Sequence, residues 1–180
     1  MNPYRNQSGV TLVELMVTIA VLAILVTLAA PSFVDFAERS ALRGAADNVV
    51  GVIAAAKEDA IKRDRWVRVD VKPVGSAFCI GAAVVATGTA TAGCDCSAAS
   101  CPVASYPENE RDLHRVTMTA GDAGFVIDPK TGTLADFGDG GEIVLGTTRG
   151  YAATIRVNAM GRASICTPGE KGLPGVKACL

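Results

Sequence analysis

The run from Val10 to Pro31, VTLVELMVTIAVLAILVTLAAP, constrains this chain more than any other segment, because its only ionisable residue is Glu14. As a helix rising about 1.5 Å per residue it is long enough to cross a hydrocarbon core of about 30 Å. Residues 1–9 ahead of it are polar with one cation, Arg5, while Asp35 and Glu38 follow it. That bias places the N-terminus in the cytoplasm and everything after Pro31 outside. A cleaved secretory signal has a shorter apolar region, about 7 to 15 residues, ending in a small-residue cleavage site. Pro31 directly after Ala29-Ala30 disfavours processing there, so the segment is expected to be retained. A carboxylate at membrane depth is costly unless paired. No Lys or Arg lies nearby in the chain, so the partner of Glu14 is expected to be an α-amino group freed by a cut near the start of the run, or a group on another subunit.

Ser8-Gly9-Val10-Thr11-Leu12-Val13-Glu14-Leu15 resembles the class III signal of type IV pilins and type II secretion pseudopilins. The resemblance implies that a prepilin peptidase cuts between Gly9 and Val10 on the cytoplasmic side and methylates Val10, where the family more often has Phe. It also implies that Pro31 bends the helix and that Glu14 neutralises the Val10 amine of a neighbouring subunit. Two charges that are each expensive to bury then offset one another on assembly.

From Ser32 to Asp64 there is no proline, and Val34, Ala37, Ala41, Ala45, Val49, Val52, Ala56 and Ala60 recur at intervals of three or four. This predicts an amphipathic helix with Glu38, Arg39, Arg43, Asp47, Lys57, Asp59 and Arg63 mostly on other faces. Joined to the span it makes one helix of about 55 residues, roughly 80 Å long. After Arg65 the period falls to two. Trp66–Val71 and Ala77–Ile80 read as a hairpin around the turn 72–76, with Trp66 expected in the core at the junction. Further strands are predicted at 115–119, 124–128, 142–145, 152–158 and 163–166, separated by turns such as Asp128-Pro129-Lys130-Thr131-Gly132. The expected fold is α+β, a long N-terminal transmembrane and amphipathic helix packed on antiparallel sheet. The expected divisions are a leader at 1–9, a membrane and assembly helix at 10–31, its amphipathic half at 32–65 and an extracytoplasmic β-rich head at 66–180.

Residues 125–133 and 153–162, with the helix patterns at 42–47 and 56–63, are similar to the GspH/FimT branch of the pilin superfamily. The resemblance implies a minor pilin held in the inner membrane with its head in the periplasm, later joining the pilus at the cell surface. Its partners would be other major and minor pilins, the prepilin peptidase and the inner-membrane assembly platform. A minor pseudopilin of type II secretion is the alternative.

Six cysteines in a segment expected outside the cytoplasm favour disulfides over free thiols. The pilin resemblance implies that Cys166 and Cys179 close a C-terminal loop. Among Cys79, Cys94, Cys96 and Cys101, a bridge across Cys94-Asp95-Cys96 is badly strained, so Cys79 should take one of that pair and Cys101 the other. A four-thiolate zinc site is disfavoured by the C-x-C-x4-C spacing. Residues 81–105, rich in Ala, Gly, Thr and Ser, read as a loose insertion pinned by these bridges.

Net charge is −1, which excludes a broad basic field of the ribosomal or histone-like kind. From Glu142 onward, however, Arg149, Arg156, Arg162, Lys171 and Lys177 outnumber Glu142 and Glu170. Some FimT-like pilins bind DNA through a basic C-terminal G-R-x-R segment, of which Gly161-Arg162-Ala163-Ser164 keeps the first Arg only. These five residues are the candidate DNA contacts, against ordinary surface charge as the favoured reading. Asp136, Asp139 and Glu142 lack calcium-loop spacing and read as a solvated turn. His114 has no nucleophile partner in sequence, and no phosphate loop, dinucleotide fingerprint or serine elbow appears. Neither an enzyme, a cofactor nor a metal is expected.

Overall fold

The computed structural model describes residues 10–75, 77–98, 101–107, 116–121, 124–138, 140–169 and 171–179. The chain divides into two compact units between Ala37 and Glu38. One helix, α1 (Leu12–Arg63, 52 residues), runs through the division. Thr11 starts it, its hydroxyl accepting the Glu14 N–H at 3.2 Å and its carbonyl the Leu15 N–H at 3.1 Å. At the other end Asp64 adopts a left-handed φ of 50° and the Arg65 N–H returns to the Ala60 carbonyl at 3.2 Å. This is the six-to-one bond that closes many helix C-termini, and Asp tolerates that backbone conformation better than most residues. Lys62 and Arg63 in the last turn complement the helix dipole.

In the first unit the window Leu12–Ala29 has mean hydropathy 2.6, and none of it is buried. Its Leu, Ile and Val side chains would be untenable in water without a lipid or protein cover.

In the second unit α1 contributes a stripe of Leu42, Ala45, Ala46, Val49, Val52, Ile53, Ala56 and Ala60, all buried. The stripe therefore begins at Leu42, later than the expected start at Val34, which is 40% exposed. Among the described residues the strands form two antiparallel sheets rather than one. The first has the order β3 (Ala104–Tyr106), β2 (Ala77–Val84), β1 (Val67–Val74), β5 (Gly124–Ile127). The second runs β4 (Thr117–Gly121), β6 (Glu142–Gly146), β7 (Ala152–Val157), β8 (Ala163–Cys166). Val67, Val69, Phe78, Ile80, Phe125 and Ile127 from the first sheet join Leu145, Ala153 and Ile155 from the second and the helix stripe in one core cluster.

β1 runs longer than the sequence period suggests, through Pro73 to a turn at Gly75, whose φ is 61°. Pro73 is tolerated because β5 pairs with β1 only as far as Asp70, leaving no ladder bond for the missing N–H to break on that side. Part of the expected loose insertion is ordered structure: β3 pairs with β2, and Tyr106 is buried 6.0 Å from Phe78, ring to ring. Expected strand residue Arg115 and His114 lie outside the described residues.

Candidate assembly helix and head surface

The first turn of α1 presents its groups outward. Val10 is 71% exposed, and Glu14 is exposed in the same turn whose N–H groups Thr11 caps. Thr11-x-x-Glu14 is also the sequence pattern of a capping box. Gly9 lies outside the described residues. Pro31 falls within the unbroken helix, where a missing N–H leaves the Thr27 carbonyl without its usual donor four residues on. Nearby, Thr27 Oγ1 donates to the Ile24 carbonyl at 2.7 Å.

All six cysteines are bridged: Cys79 to Cys96, Cys94 to Cys101 and Cys166 to Cys179. No thiolate is left for zinc. Gly81 on β2 makes room for the middle bridge, because a Cβ there would overlap Cys101 Sγ and come within 2.9 Å of Cys94 Sγ.

The 85–95 loop is tied to β1 by polar groups. Arg68 Nε donates to Asp70 Oδ1 at 2.7 Å, Arg68 Nη1 donates to the Ala90 carbonyl at 2.7 Å, and the Gly93 N–H donates to Asp70 Oδ2 at 2.9 Å. Trp66, expected in the core, is instead half-buried and outside the core cluster. Gly88 packs close on its ring, where a Cβ would sit 2.8 Å from Cζ3. Both residues line an open groove of about 840 Å³ with Arg68, Val126 and Phe137.

At the start of the second unit Glu38 is buried, contrary to its expected place on a polar face. Thr148 Oγ1 donates to Glu38 Oε1 at 3.0 Å, the Arg149 N–H donates to Oε2 at 3.3 Å, and Arg149 Nε lies 3.9 Å from Oε1. Burial pushes this carboxyl up. The Thr148 hydroxyl, the Arg149 amide and the Arg149 charge outweigh it and hold the group below its ordinary value of 4.5.

The five candidate DNA contacts do not share one environment. Arg149 faces Glu38, and Arg156 is ion-paired with Glu142 across β6 and β7. Lys171 Nζ donates to the Arg149 carbonyl at 3.3 Å, while Arg162 and Lys177 are exposed. Acidic partners thus offset two of the five charges. Asp136 accepts the Gly138 N–H at 2.9 Å in a tight turn, and Asp139 lies outside the described residues. Among the described residues no group of His, Cys, Asp and Glu is arranged to hold a metal.

An apolar, unburied helix start that continues as the packing helix of a disulfide-braced α+β head defines a pilin-type subunit. Residues 4–30 match the prokaryotic N-terminal methylation motif, and residues 45–161 match the family described as type II transport protein GspH. The chain belongs to the GspH family of the type IV pilin superfamily. No curated protein sequence matches it. Two crystal structures of the Pseudomonas aeruginosa (strain PAO1) type IV minor pilin FimU are similar to it. One has a TM-score of 0.49 and 18% identity, covering 76% of this chain and 98% of that one. The other, a second crystal form, has a TM-score of 0.45 and 17% identity, covering 72% and 99%.

Proposed function

We propose that the chain is a minor type IV pilin. It is held in the inner membrane by residues 10–30, with its head in the periplasm, and enters a priming complex or filament tip. The observation that carries this reading is the window Leu12–Ala29, wholly unburied yet bearing Glu14 at its start, ahead of a head of the GspH family. Such a helix has two stable environments, a bilayer before assembly and a bundle of like helices after it. Prepilin peptidase cuts between Gly9 and Val10 and methylates Val10, the assembly platform extracts the helix, and Glu14 meets the Val10 amine of a neighbouring pilin. Pro31 weakens the helix where it leaves the membrane. Twitching, adhesion or DNA uptake follow from the filament rather than from chemistry on this chain, which acts without a catalytic centre.

The family's description favours a second reading, a minor pseudopilin of type II secretion. Deleting the chain in its own cell separates the two. Loss of surface pili and twitching with intact protein secretion supports the pilus reading, and blocked secretion with normal pili replaces it by the pseudopilin. A DNA-receptor role has less support, because Arg149 and Arg156 already face carboxylates.

A further inference from the structure

Two aromatic rings of the head line one open groove. Trp66 precedes β1 and is half-buried, and Phe137, on the turn after Leu134, is 66% exposed. The floor between them is Arg68 of β1 and Val126 of β5, which stand opposite one another in the ladder. Loop residues 88–91 and turn residues 135–137 form the sides. At about 840 Å³ the groove is of a size that small-ligand sites commonly have.

Both sides are held in place before any ligand arrives. The Val85 N–H donates to the Trp66 carbonyl at 2.9 Å, and Arg68 and Asp70 take the Ala90 carbonyl and the Gly93 N–H from the same loop. Gly88 rests on the six-membered ring of the indole, where a Cβ would collide with it. Across the groove the Asp136 carboxylate accepts the Gly138 N–H at 2.9 Å and fixes the turn that carries Phe137. The Arg68 side chain is only 10% exposed, with Nε on Asp70 and Nη1 on Ala90. Its Nη2 makes no hydrogen bond among the described residues, yet it is not sealed from solvent. Gly124 keeps that nitrogen open, since a Cβ there would lie 3.0 Å from it. A largely buried donor left without an acceptor favours a ligand that brings one.

The lining selects against most classes of occupant. Asp70 neutralises Arg68, and Asp136 stands on the opposite side, so no net positive charge draws a phosphate, a nucleic acid or an acidic peptide. A peptide strand cannot add here, because the Ala135 N–H already takes the Val126 carbonyl at 2.8 Å and covers the β5 edge. The polar groups of Arg68, Asp136, Thr89 and Thr91 make the groove a poor seat for a wholly apolar ligand. A neutral ring with apolar faces and polar edges satisfies all of these conditions. We propose that the groove binds a neutral glycan. The C–H faces of its pyranose rings lie on Trp66 and Phe137, a hydroxyl or acetamido oxygen accepts from Arg68 Nη2, and a hydroxyl donates to Asp136. Walls fixed in advance by the loop and turn bonds reduce the ordering cost of binding. The inference goes beyond the pilin reading and does not depend on it.

Trp66 is the only tryptophan in the chain, so its fluorescence reports directly on the groove. The test titrates the full chain, solubilised in a detergent without a sugar headgroup, with triacetylchitotriose and separately with cellotriose. The expected result is a saturable change in Trp66 emission with a dissociation constant of about 1 mM or tighter for at least one of them. Preference for the first assigns an N-acetylated glycan of the cell-wall type, and preference for the second an unsubstituted hexose chain. Phe137→Ala, which removes an exposed ring, should weaken binding about tenfold at an unchanged melting temperature. A hyaluronan tetrasaccharide, similar in build but anionic, should bind at least about tenfold more weakly than the better neutral sugar. No saturable response to either neutral sugar, equal affinity in Phe137→Ala, or tighter binding of the anionic sugar overturns the assignment. A failed titration leaves the pilin reading as it stands, because that reading rests on the N-terminal helix and the family of the head.

Discussion

Arg68 and Asp70 stand two residues apart on β1 and form an ion pair at 2.7 Å, with side chains only 10% and 6% exposed, beneath the loop that carries Ala90 and Gly93. The pair gives the outer face of the first sheet a cover made of backbone. The guanidinium takes a carbonyl from the loop and the carboxylate takes an amide from it. A segment too poor in large apolar residues to build a core is thereby docked by polar groups, with Cys79–Cys96 and Cys94–Cys101 fixing its far end.

Removing one member of such a pair leaves the other buried without its counter-charge. Arg68→Ala should therefore destabilise the head by about 3 to 5 kcal/mol, whereas a paired apolar replacement such as Arg68→Met with Asp70→Leu should cost far less. Urea unfolding of the detergent-solubilised chain measures both. A single Arg68→Ala costing under about 1 kcal/mol would show that the loop does not depend on the pair.

How far the residues announced this arrangement differs from one element to the next. The alternation of Val67, Val69 and Val71 with Arg68 and Asp70 is legible as a strand with an apolar face, and the structure places that face against the helix. The burial of the polar face was not legible, because local periodicity cannot report a loop arriving from about twenty residues away. Glu38 is similar: a charged residue in a helical repeat looks solvent-facing until the Thr148-Arg149 turn, distant in sequence, folds onto it. Cystine pairing was legible down to a choice between Cys94 and Cys96, and only the course of the backbone past Gly81 settles it. At the N-terminus the apolar run is legible directly, since composition and length alone set whether a helix can cross a membrane, and the window Leu12–Ala29 is helical with none of it buried.

The Glu38 contacts predict a specific acid sensitivity. A carboxyl whose folded pKa lies below its unfolded value near 4.5 contributes stability in full above that value and loses it as pH falls through the folded one. Thermal melting of the wild-type chain should therefore drop on going from pH 5 toward pH 3 more steeply than that of Glu38→Gln. The variant should already be less stable at pH 7. Parallel melting curves across that range would remove Glu38 from the account.

Gly81 should be indispensable to one disulfide and irrelevant to the others. In Gly81→Ala the new methyl occupies the space of Cys101 Sγ, so Cys94 and Cys101 are expected to alkylate as free thiols in the oxidised protein. Cys166–Cys179, which spans 13 residues, should stay closed. Its own removal by paired Cys→Ser changes should cost about 2 to 4 kcal/mol. Mass spectrometry after alkylation without reductant reads the first result, and full protection of Cys94 and Cys101 in Gly81→Ala would contradict the packing.

The start of α1 gives the most direct test of assembly. Gly9→Val should leave an uncleaved precursor, because the proposed cut needs a small residue on its leader side. Mature-sized protein from that variant would exclude the proposed processing. Glu14→Ala keeps the apolar window Leu12–Ala29 and the Thr11 cap, whose acceptor is a hydroxyl receiving a backbone N–H, so it should insert and be processed normally. Its defect should appear only where helices meet, since the Val10 amine of a neighbour would then be buried without a counter-charge, at a cost of several kcal/mol. The expected outcome is normal membrane abundance with at least a tenfold fall in the amount recovered from sheared filaments, about 1.4 kcal/mol or more of lost assembly free energy. Glu14→Asp, which keeps the charge on a shorter arm, should fall between the two. Equal recovery of wild type and Glu14→Ala from filaments would refute the charge pairing while leaving the membrane anchor intact.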